Sequence, residues 1–267
     1  MPNVSNYSHI LPGIQREGKP LQRAVTHFDD FIVGGFKADA GLSMETDPSS
    51  KFGTVANAGE WFLSLTGTGT NIISDAGPNG ILTMTTGATE NDSNEMQLNG
   101  ESFKLATGKR LIFEVRAKFE DVSLSNWFIG LAETEVNVID GVTDYIGFYS
   151  NIDANAQYGV AKNGSAAVQG SKTAASTTQD GETNGDTGVA LVDDTFNVFR
   201  FECNGLKAKF FVDGAYIATL NAIEDSSGNS QDFPDDISVT PTLAIQNDSA
   251  AAEKMEVDYI LVAADRH

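Results

Sequence analysis

The sequence predicts an all-β protein made of two packed antiparallel sheets. In residues 111–119 and 199–203, apolar and polar side chains alternate, which is typical of strands with one buried face. Asp213 and Gly214 lie between two further runs of this kind, and an Asp-Gly pair in that position is a strong hairpin signal. No segment shows a sustained helical period. Strands that bury only one face need a partner sheet, so the pattern favours a sandwich.

Further strands are predicted wherever a short apolar or alternating run lies between Gly, Asn or Asp turns. In chain order, the predicted strands cover residues 31–33, 61–65, 81–85, 95–98, 111–119, 127–131, 145–149, 158–161, 199–203, 206–212, 216–220, 243–245 and 257–262. One helical turn is expected near residues 250–254. Residues 165–186 are almost entirely small and polar, which predicts a long excursion between two core strands. This excursion is either a tolerated surface insertion or a functional loop.

The first 26 residues differ from the rest of the chain because they are spaced by prolines and follow no regular period. Their basic residues include Arg16, Lys19 and Arg23. Such a segment cannot bury a face of its own, so it is either a mobile tail or an arm that becomes ordered on a neighbour. The contrast between this basic leader and an acidic body favours the arm. We therefore expect an extended arm over residues 1–26 and one sandwich domain over residues 27–267.

The charge of the chain excludes some partners. Lys and Arg number 17 against 37 Asp and Glu, a formal net charge of −20, and so acidic a chain repels the phosphate backbone of nucleic acids.

We find neither the apolar core of a signal peptide nor a run long enough to span a membrane, so we expect synthesis in the host cytoplasm and no membrane partner. The single cysteine, Cys203, lies on the apolar register of its strand, which predicts core packing.

From residue 28 onwards the chain resembles the concanavalin A-like lectin and glucanase superfamily, which is related to laminin-G domains. More narrowly, it resembles the form found in virion proteins of tailed phages. The residues that carry the resemblance are Gly108-Lys109-Arg110 before Ile112-Phe113-Glu114-Val115-Arg116, then Trp127-Phe128-Ile129-Gly130-Leu131-Ala132-Glu133, Phe199-Arg200-Phe201, Phe210-Phe211-Val212-Asp213-Gly214 and Val257-Asp258-Tyr259-Ile260-Leu261-Val262. The resemblance implies a jelly-roll sandwich and a place in the virion.

Glucanases of that superfamily carry Glu-x-Asp-x-x-Glu on one strand, where the spacing brings nucleophile and acid together. In the clearest strand Glu114 is followed by Arg116 and Phe119 at the two later positions. Near the end of the chain Glu256 and Asp258 fit the first two positions, but the acid is missing from the third. This departure predicts that the protein is not an enzyme.

Two kinds of binding site remain as alternatives. Hard oxygen ligands concentrate at Glu90, Asp92 and Glu95, and calcium binds 6–8 such oxygens. These residues either hold calcium, as in lectin and laminin-G relatives, or form solvated surface. A sugar site is the second alternative, for which the candidates are Tyr149, Asn151 and Tyr158. Trp61 and Trp127 lie inside apolar runs, which predicts core packing instead.

We therefore expect a non-enzymatic virion structural protein, specifically a decoration (cement) protein on the outer surface of a phage capsid. The arm would bind the major capsid protein, and copies of the chain would contact one another, most naturally as a homo-trimer. The alternative is a carbohydrate-binding module of a head fibre, tail or baseplate. It would use the loops around residues 149–158 and 165–186. No cofactor is expected other than calcium.

Overall fold

The computed structural model describes residues 24–29, 61–74, 80–101, 103–151, 155–162, 177–179, 182–223, 226, 230 and 232–265. Its strands β1 to β16 are, in chain order, Ala24–Asp29, Trp61–Thr66, Thr70–Ser74, Ile81–Thr85, Ser93–Leu98, Arg110–Phe119, Ser125–Ala132, Tyr145–Asn151, Asn155–Ala161, Thr177–Gln179, Glu182–Ala190, Asn197–Asn204, Lys207–Val212, Ala215–Asn221, Thr240–Asn247 and Lys254–Asp265. One helical turn, α1 (Val138–Gly141), lies between β7 and β8.

The strands form two eight-stranded sheets. Sheet A has the order β14-β13-β12-β6-β16-β4-β3, and β1 pairs with the far half of β16. Sheet B has the order β10-β11-β9-β8-β7-β15-β5-β2. All pairs of named strands are antiparallel, as in the central pair β6 and β16. The predicted all-β, two-sheet sandwich is confirmed.

The core lies between the sheets and is rich in aromatic rings. Phe119 of sheet A stacks on Trp127 of sheet B with ring centroids 4.5 Å apart, and Phe199 packs against both rings. Trp127 is fully buried, and Cys203 is 3% exposed. Both residues therefore serve the core, as their registers predict.

The structure departs from the predicted elements in three places. Residues 248–251 form a bend, so the helical turn expected near residues 250–254 is wrong, and α1 lies elsewhere. The predicted excursion over residues 165–186 contains β10 and the start of β11, which pairs with β9. β10 lies at the edge of sheet B and β11 next to it. Small polar residues can form these strands because backbone hydrogen bonds hold a strand at an edge even where it has no apolar face. The predicted strand at residues 31–33 lies outside the described residues.

The predicted boundary between arm and domain falls inside a strand. In β1, Ala24 pairs with Asp265 and Asp29 with Ile260. Residues 24–26 therefore belong to sheet A, because β16 extends beyond its pairing with β4 and leaves an edge that β1 completes. Among the helices of the described part of the chain, none is long and apolar enough to cross a membrane.

Candidate functional site

The outer face of sheet B is covered by the loop between β7 and β8. We name residues 133–144 the capping loop. Its helical turn α1 brings Val138 and Ile139 against Phe128 and Tyr145, and together they belong to a second apolar cluster outside the main core. The Phe128 and Tyr145 rings meet edge to face, with centroids 5.7 Å apart. This face is therefore packed rather than open.

Polar side chains of β5 hold the capping loop in place. The Gln97 amide donates to the Glu133 carbonyl at 2.8 Å and accepts from the Glu135 N–H at 2.9 Å. The Glu95 carboxylate accepts from the Val138 N–H at 2.9 Å. The Val138 bond is buried and the two Gln97 bonds are partly buried, so all three satisfy loop backbone groups that have limited access to water.

The three residues predicted to bind calcium are not brought together. Glu95 is 1% exposed and faces the capping loop, and burial raises its pKa to about 8. Asp92 is also buried, but its Oδ2 accepts from the Thr89 N–H at 3.1 Å and lies close to Gly87. Glu90 is exposed. Among the residues that the structure describes, no three His, Cys, Asp or Glu side chains form a group suited to a metal ion.

The two tyrosines predicted to bind sugar are buried. Tyr149 is 1% exposed and belongs to the apolar cluster under the capping loop. Tyr158 is 6% exposed, and its ring lies 4.9 Å from that of Phe210 in the main core. A ring that stacks on a sugar needs a free face, so this burial does not support the role. The side chain of Asn151, the third candidate, lies outside the described residues, as do Arg16, Lys19 and Arg23 of the arm.

The outer face of sheet A has a different character because it collects positive charge. Most of the Lys and Arg residues in the described part of the chain lie on it. They are Arg110, Arg116 and Lys118 on β6, Arg200 on β12, Lys207 and Lys209 on β13, and Lys254 on β16. The same face carries the carboxylates of Glu114, Glu202, Glu256, Asp258 and Asp265, which pair with Arg or Lys. The face therefore has a small excess of cations, in contrast to the net charge of −20 of the whole chain. We name it the cationic face.

Ion pairs cross the middle of the cationic face. Glu114 accepts from the Tyr259 hydroxyl at 2.9 Å and lies 3.7 Å from an Arg200 nitrogen. Arg116 pairs with Asp258. The carboxylates that the sequence places at glucanase-like positions are thus engaged by cations or by a hydroxyl. Burial and repulsion by Glu114 raise the pKa of Tyr259 above its usual range, so this hydroxyl stays protonated.

Toward β14 the cationic face carries an aromatic pair, of which Tyr216 is exposed and Phe211 is partly buried. Tyr216 is 59% exposed, and its ring meets Phe211 edge to face at 5.9 Å. The Arg200 guanidinium lies 5.9 Å from the Phe211 ring centre. This pair was not predicted from the sequence, although the outward register of Tyr216 after the Asp213-Gly214 turn is a signal for it.

A pocket of about 330 Å³ opens at the other end of the same face. We name it the lysine pocket. The described residues that line it are Arg110, Ile112, Glu202, Cys203, Asn204, Lys207, Lys209, Ala263, Ala264 and Asp265. Lys207 and Lys209 are exposed and form no ion pair with the described residues. The pocket therefore presents uncompensated positive charge.

Comparison with known proteins gives structural matches only. No protein-family model matches the chain, and no curated protein sequence does. A protein of unknown function, SO2946, from Shewanella oneidensis MR-1 is 17% identical, with a TM-score of 0.53 over 91% of this chain and 87% of that one. An endo-1,3-beta-glucanase from Streptomyces sioyaensis is 11% identical, with a TM-score of 0.55 over 93% and 99%. A laminarinase from Flavobacterium sp. UMI-01 is 13% identical, with a TM-score of 0.55 over 88% and 98%.

These matches contradict the prediction that the protein is not an enzyme, because several similar structures are glucanases. The absence of one motif from one strand was too narrow a basis for predicting that the protein is not an enzyme. Catalytic groups can come from different strands that meet only in the fold. At such low identity the similarity extends to the fold alone, and it says nothing of phages. The chain has the jelly-roll sandwich fold of concanavalin A-like glucanases.

Proposed function

We propose that the protein is a virion structural protein that decorates the outer surface of a phage capsid. The observation that carries this proposal is the cationic face on a chain whose net charge is −20. Uniformly acidic copies repel one another, whereas a face with a small excess of cations, which includes the unpaired Lys207 and Lys209, is complementary to the acidic surface of a second copy. The same face suits any acidic coat-protein surface.

The position of β1 supports a role for the arm. β1 pairs with residues 260–265 of β16, so the strand that follows the arm is fixed on the sheet that carries the cationic face. Arg23 immediately precedes this strand. The basic arm and the cationic face therefore start from the same sheet and would together contact an acidic lattice. Binding of the assembled lattice in preference to free subunits would stabilise the capsid by mass action.

Quantitative mass spectrometry of purified virions tests the location. We expect copies of this chain in simple proportion to the major capsid protein. A few copies per particle would favour a fibre or tail position, and absence from the particle would overturn the proposal.

Deleting residues 1–23 tests the arm without removing any residue of β1. We expect the circular dichroism spectrum to be retained and cosedimentation with capsids to be lost. The matched control is Lys104→Glu, which changes a cation outside the cationic face in the full chain. Undiminished capsid binding by the deletion variant would refute the role of the arm.

A carbohydrate-binding module of a head fibre, tail or baseplate is the second candidate function. It is favoured by the exposed ring of Tyr216 beside Phe211 and Arg200, because sugars stack on free aromatic faces next to polar groups. Several proteins with a similar fold are named as glucanases. If a glycan array gives a signal, Tyr216→Ala should abolish it and Val192→Ala, at another exposed apolar residue, should not.

A further inference from the structure

The lysine pocket is formed by the strand register of sheet A. Lys209 of β13 pairs with Glu202 of β12, and Glu202 pairs with Ile112 of β6. Ile112 in turn pairs with Ala263 of β16. Four strands thus contribute one row of outward positions, in which Ala263 has the shortest side chain. Ala263 ends this row and pairs on its other side with Thr26 of β1. Its side chain is shorter than that of the neighbouring Ile112, which leaves a depression in the surface of the sheet.

A second row lies two residues further along each strand. Asn204 pairs with Arg110 across β12 and β6. The Arg110 N–H donates to the Asp265 carboxylate at 3.1 Å, and its Nε lies 3.4 Å from the same oxygen. Lys207 completes the row on β13. This row supplies an amide, a guanidinium, a carboxylate and an ammonium group at the rim.

The floor of the pocket is apolar. Ile112 and Ala263 belong with Leu261 to a small apolar cluster on the outer face, separate from the main core. Ile112 is 9% exposed and Ala263 is 1% exposed. With so little of either residue exposed, the floor offers only a small apolar area for a ligand surface to cover.

The two lysines give the pocket its charge. Glu202, which lies opposite Lys209, pairs instead with Arg200 two positions away on its own strand. Lys207 and Lys209 are consequently left without an ion pair among the described residues. A carboxylate on the ligand would meet two ammonium groups, and charge-assisted hydrogen bonds are the strong ones.

From these features we propose that the lysine pocket binds a carboxylated sugar, such as a hexuronic acid unit of an oligosaccharide. The carboxylate would lie between Lys207 and Lys209, and the C–H face of the ring would cover Ile112 and Ala263. Asn204, Glu202 and Asp265 would bind hydroxyl groups. The pocket volume of about 330 Å³ lies at the small end of ligand sites, which suits one or two sugar rings.

Other anions fit this pocket less well. A phosphate ion has no apolar face to cover the floor formed by Ile112 and Ala263. A neutral sugar would leave the two lysines without a partner. The combination of an apolar floor, hydroxyl-binding groups and two free ammonium groups selects a ligand with all three complementary features.

Calorimetric titration of the purified full chain tests the proposal. The probes are trigalacturonate, a neutral glucose trisaccharide and inorganic phosphate. We expect saturable binding of trigalacturonate, at least about tenfold weaker binding of the other two, and weakening by added NaCl. Equal binding of phosphate would reveal a simple anion site and overturn the proposal, as would equal binding of the neutral sugar or no binding at all.

Paired variants locate the site. The double variant Lys207→Gln and Lys209→Gln should bind trigalacturonate at least about tenfold more weakly, while Lys104→Gln should bind it as the unchanged protein does. Both lysines are exposed, so folding is expected to be retained. Unchanged affinity in the double variant would place the sugar elsewhere and overturn the assignment. The proposal goes beyond the virion role, and this titration can succeed or fail whatever the virion measurement gives.

Discussion

The buried carboxyl group of Glu95 makes the free energy of unfolding of the whole protein depend on pH. Burial raises its pKa to about 8, although hydrogen bonds from Val138 and Ser93 act in the opposite direction. In the unfolded chain this group ionises near its ordinary value of 4.5. Between these two pH values the folded state keeps a proton that the unfolded state releases. The contribution of Glu95 to the free energy of unfolding therefore decreases as pH rises from about 5 to about 8.

We predict that Glu95→Gln raises the free energy of unfolding by roughly 2–4 kcal/mol at pH 8 and changes it little at pH 5. Glutamine is uncharged at both pH values and keeps an oxygen for the Val138 N–H. Urea denaturation at pH 5, 6.5 and 8 measures the effect, with the exposed Glu90→Gln as the matched control. An equal loss of stability at both ends of this range would mean that Glu95 is ionised in the folded protein.

Gly130 and Gly147 allow β7 and β8 to pack under the Phe128 ring. The two glycines face each other across the strand pair. A Cβ on Gly130 would lie 2.3 Å from the Ile146 carbonyl oxygen and 2.7 Å from the Gly147 Cα, both backbone atoms that cannot turn away. Atom Cζ of Phe128 lies 3.0 Å from either added Cβ. The ring thus takes the space that side chains would occupy.

We predict that Gly130→Ala lowers the free energy of unfolding by about 3 kcal/mol, the upper end of the range for an overpacked core position, because the blocking atoms belong to the backbone. Gly214→Ala is the control, because its φ of +77° makes an alanine strained while no atom lies within 4 Å of the added Cβ. That control should cost only about 1–2 kcal/mol, the penalty for a side chain in the left-handed region. Chemical denaturation measures both, and equal losses would show that steric contact at Gly130 is unimportant.

At the scale of elements, the capping loop depends on contacts made far away in sequence. α1 has four residues, too few for a helix to be stable alone. Its position comes from β5, which lies about 40 residues earlier. Removal of one tether should therefore release the loop while the sandwich remains folded.

We predict that Gln97→Ala speeds amide hydrogen exchange in residues 133–144 by at least about tenfold, since both lost hydrogen bonds leave a partly buried backbone group without its partner. Exchange in β6 should change much less. Hydrogen-exchange mass spectrometry measures both regions, and Thr219→Ala on the outer face of sheet A is the control. Uniform acceleration across the chain would indicate global destabilisation instead of local release.

Strands were predictable from the sequence where apolar and polar residues alternate in step with the burial of their side chains. β6 alternates buried and partly exposed residues along most of its length, and its bounds were found within one residue. β11 contains Glu182, Thr183, Asn184 and Gly185, which offer no apolar face, so its pairing with β9 left no signal in the sequence. The four residues of α1 left none either, because their position is set by distant tethers.

The functional surfaces were harder to predict than the strands, because they form only when separate strands pair in a particular register. The lysine pocket combines positions 110–112, 202–204, 207–209 and 263–265. Local sequence shows which way each of these side chains points, but only the pairing of the four strands shows that they meet. The burial of Tyr149 was equally hidden, because its outward register predicts exposure until the capping loop is placed over it.

On the scale of the whole molecule, two electrostatic effects oppose each other. The ion pairs of the cationic face attract, but partly exposed pairs contribute only about 0–1 kcal/mol each. A net charge of −20 repels itself throughout the compact fold. At 0.01 M salt the screening length is about 30 Å, so most charges interact, whereas at 0.15 M it falls to about 8 Å. Repulsion involves many distant pairs of charges, whereas attraction is limited to a few close ion pairs. Added salt therefore weakens the total repulsion more than the total attraction.

We predict that raising NaCl from 10 to 150 mM at pH 7.5 increases the Tm, by about 2–4 °C for each kcal/mol of relieved repulsion. Differential scanning calorimetry measures the shift. At pH 4.3, close to the pI of the sequence, the net charge is small and the same salt step should leave the Tm unchanged or lower it. A fall in Tm at pH 7.5 would mean that the ion pairs of the cationic face outweigh the self-repulsion. The acidic body would then repel other acidic surfaces less than the proposed lattice contact assumes.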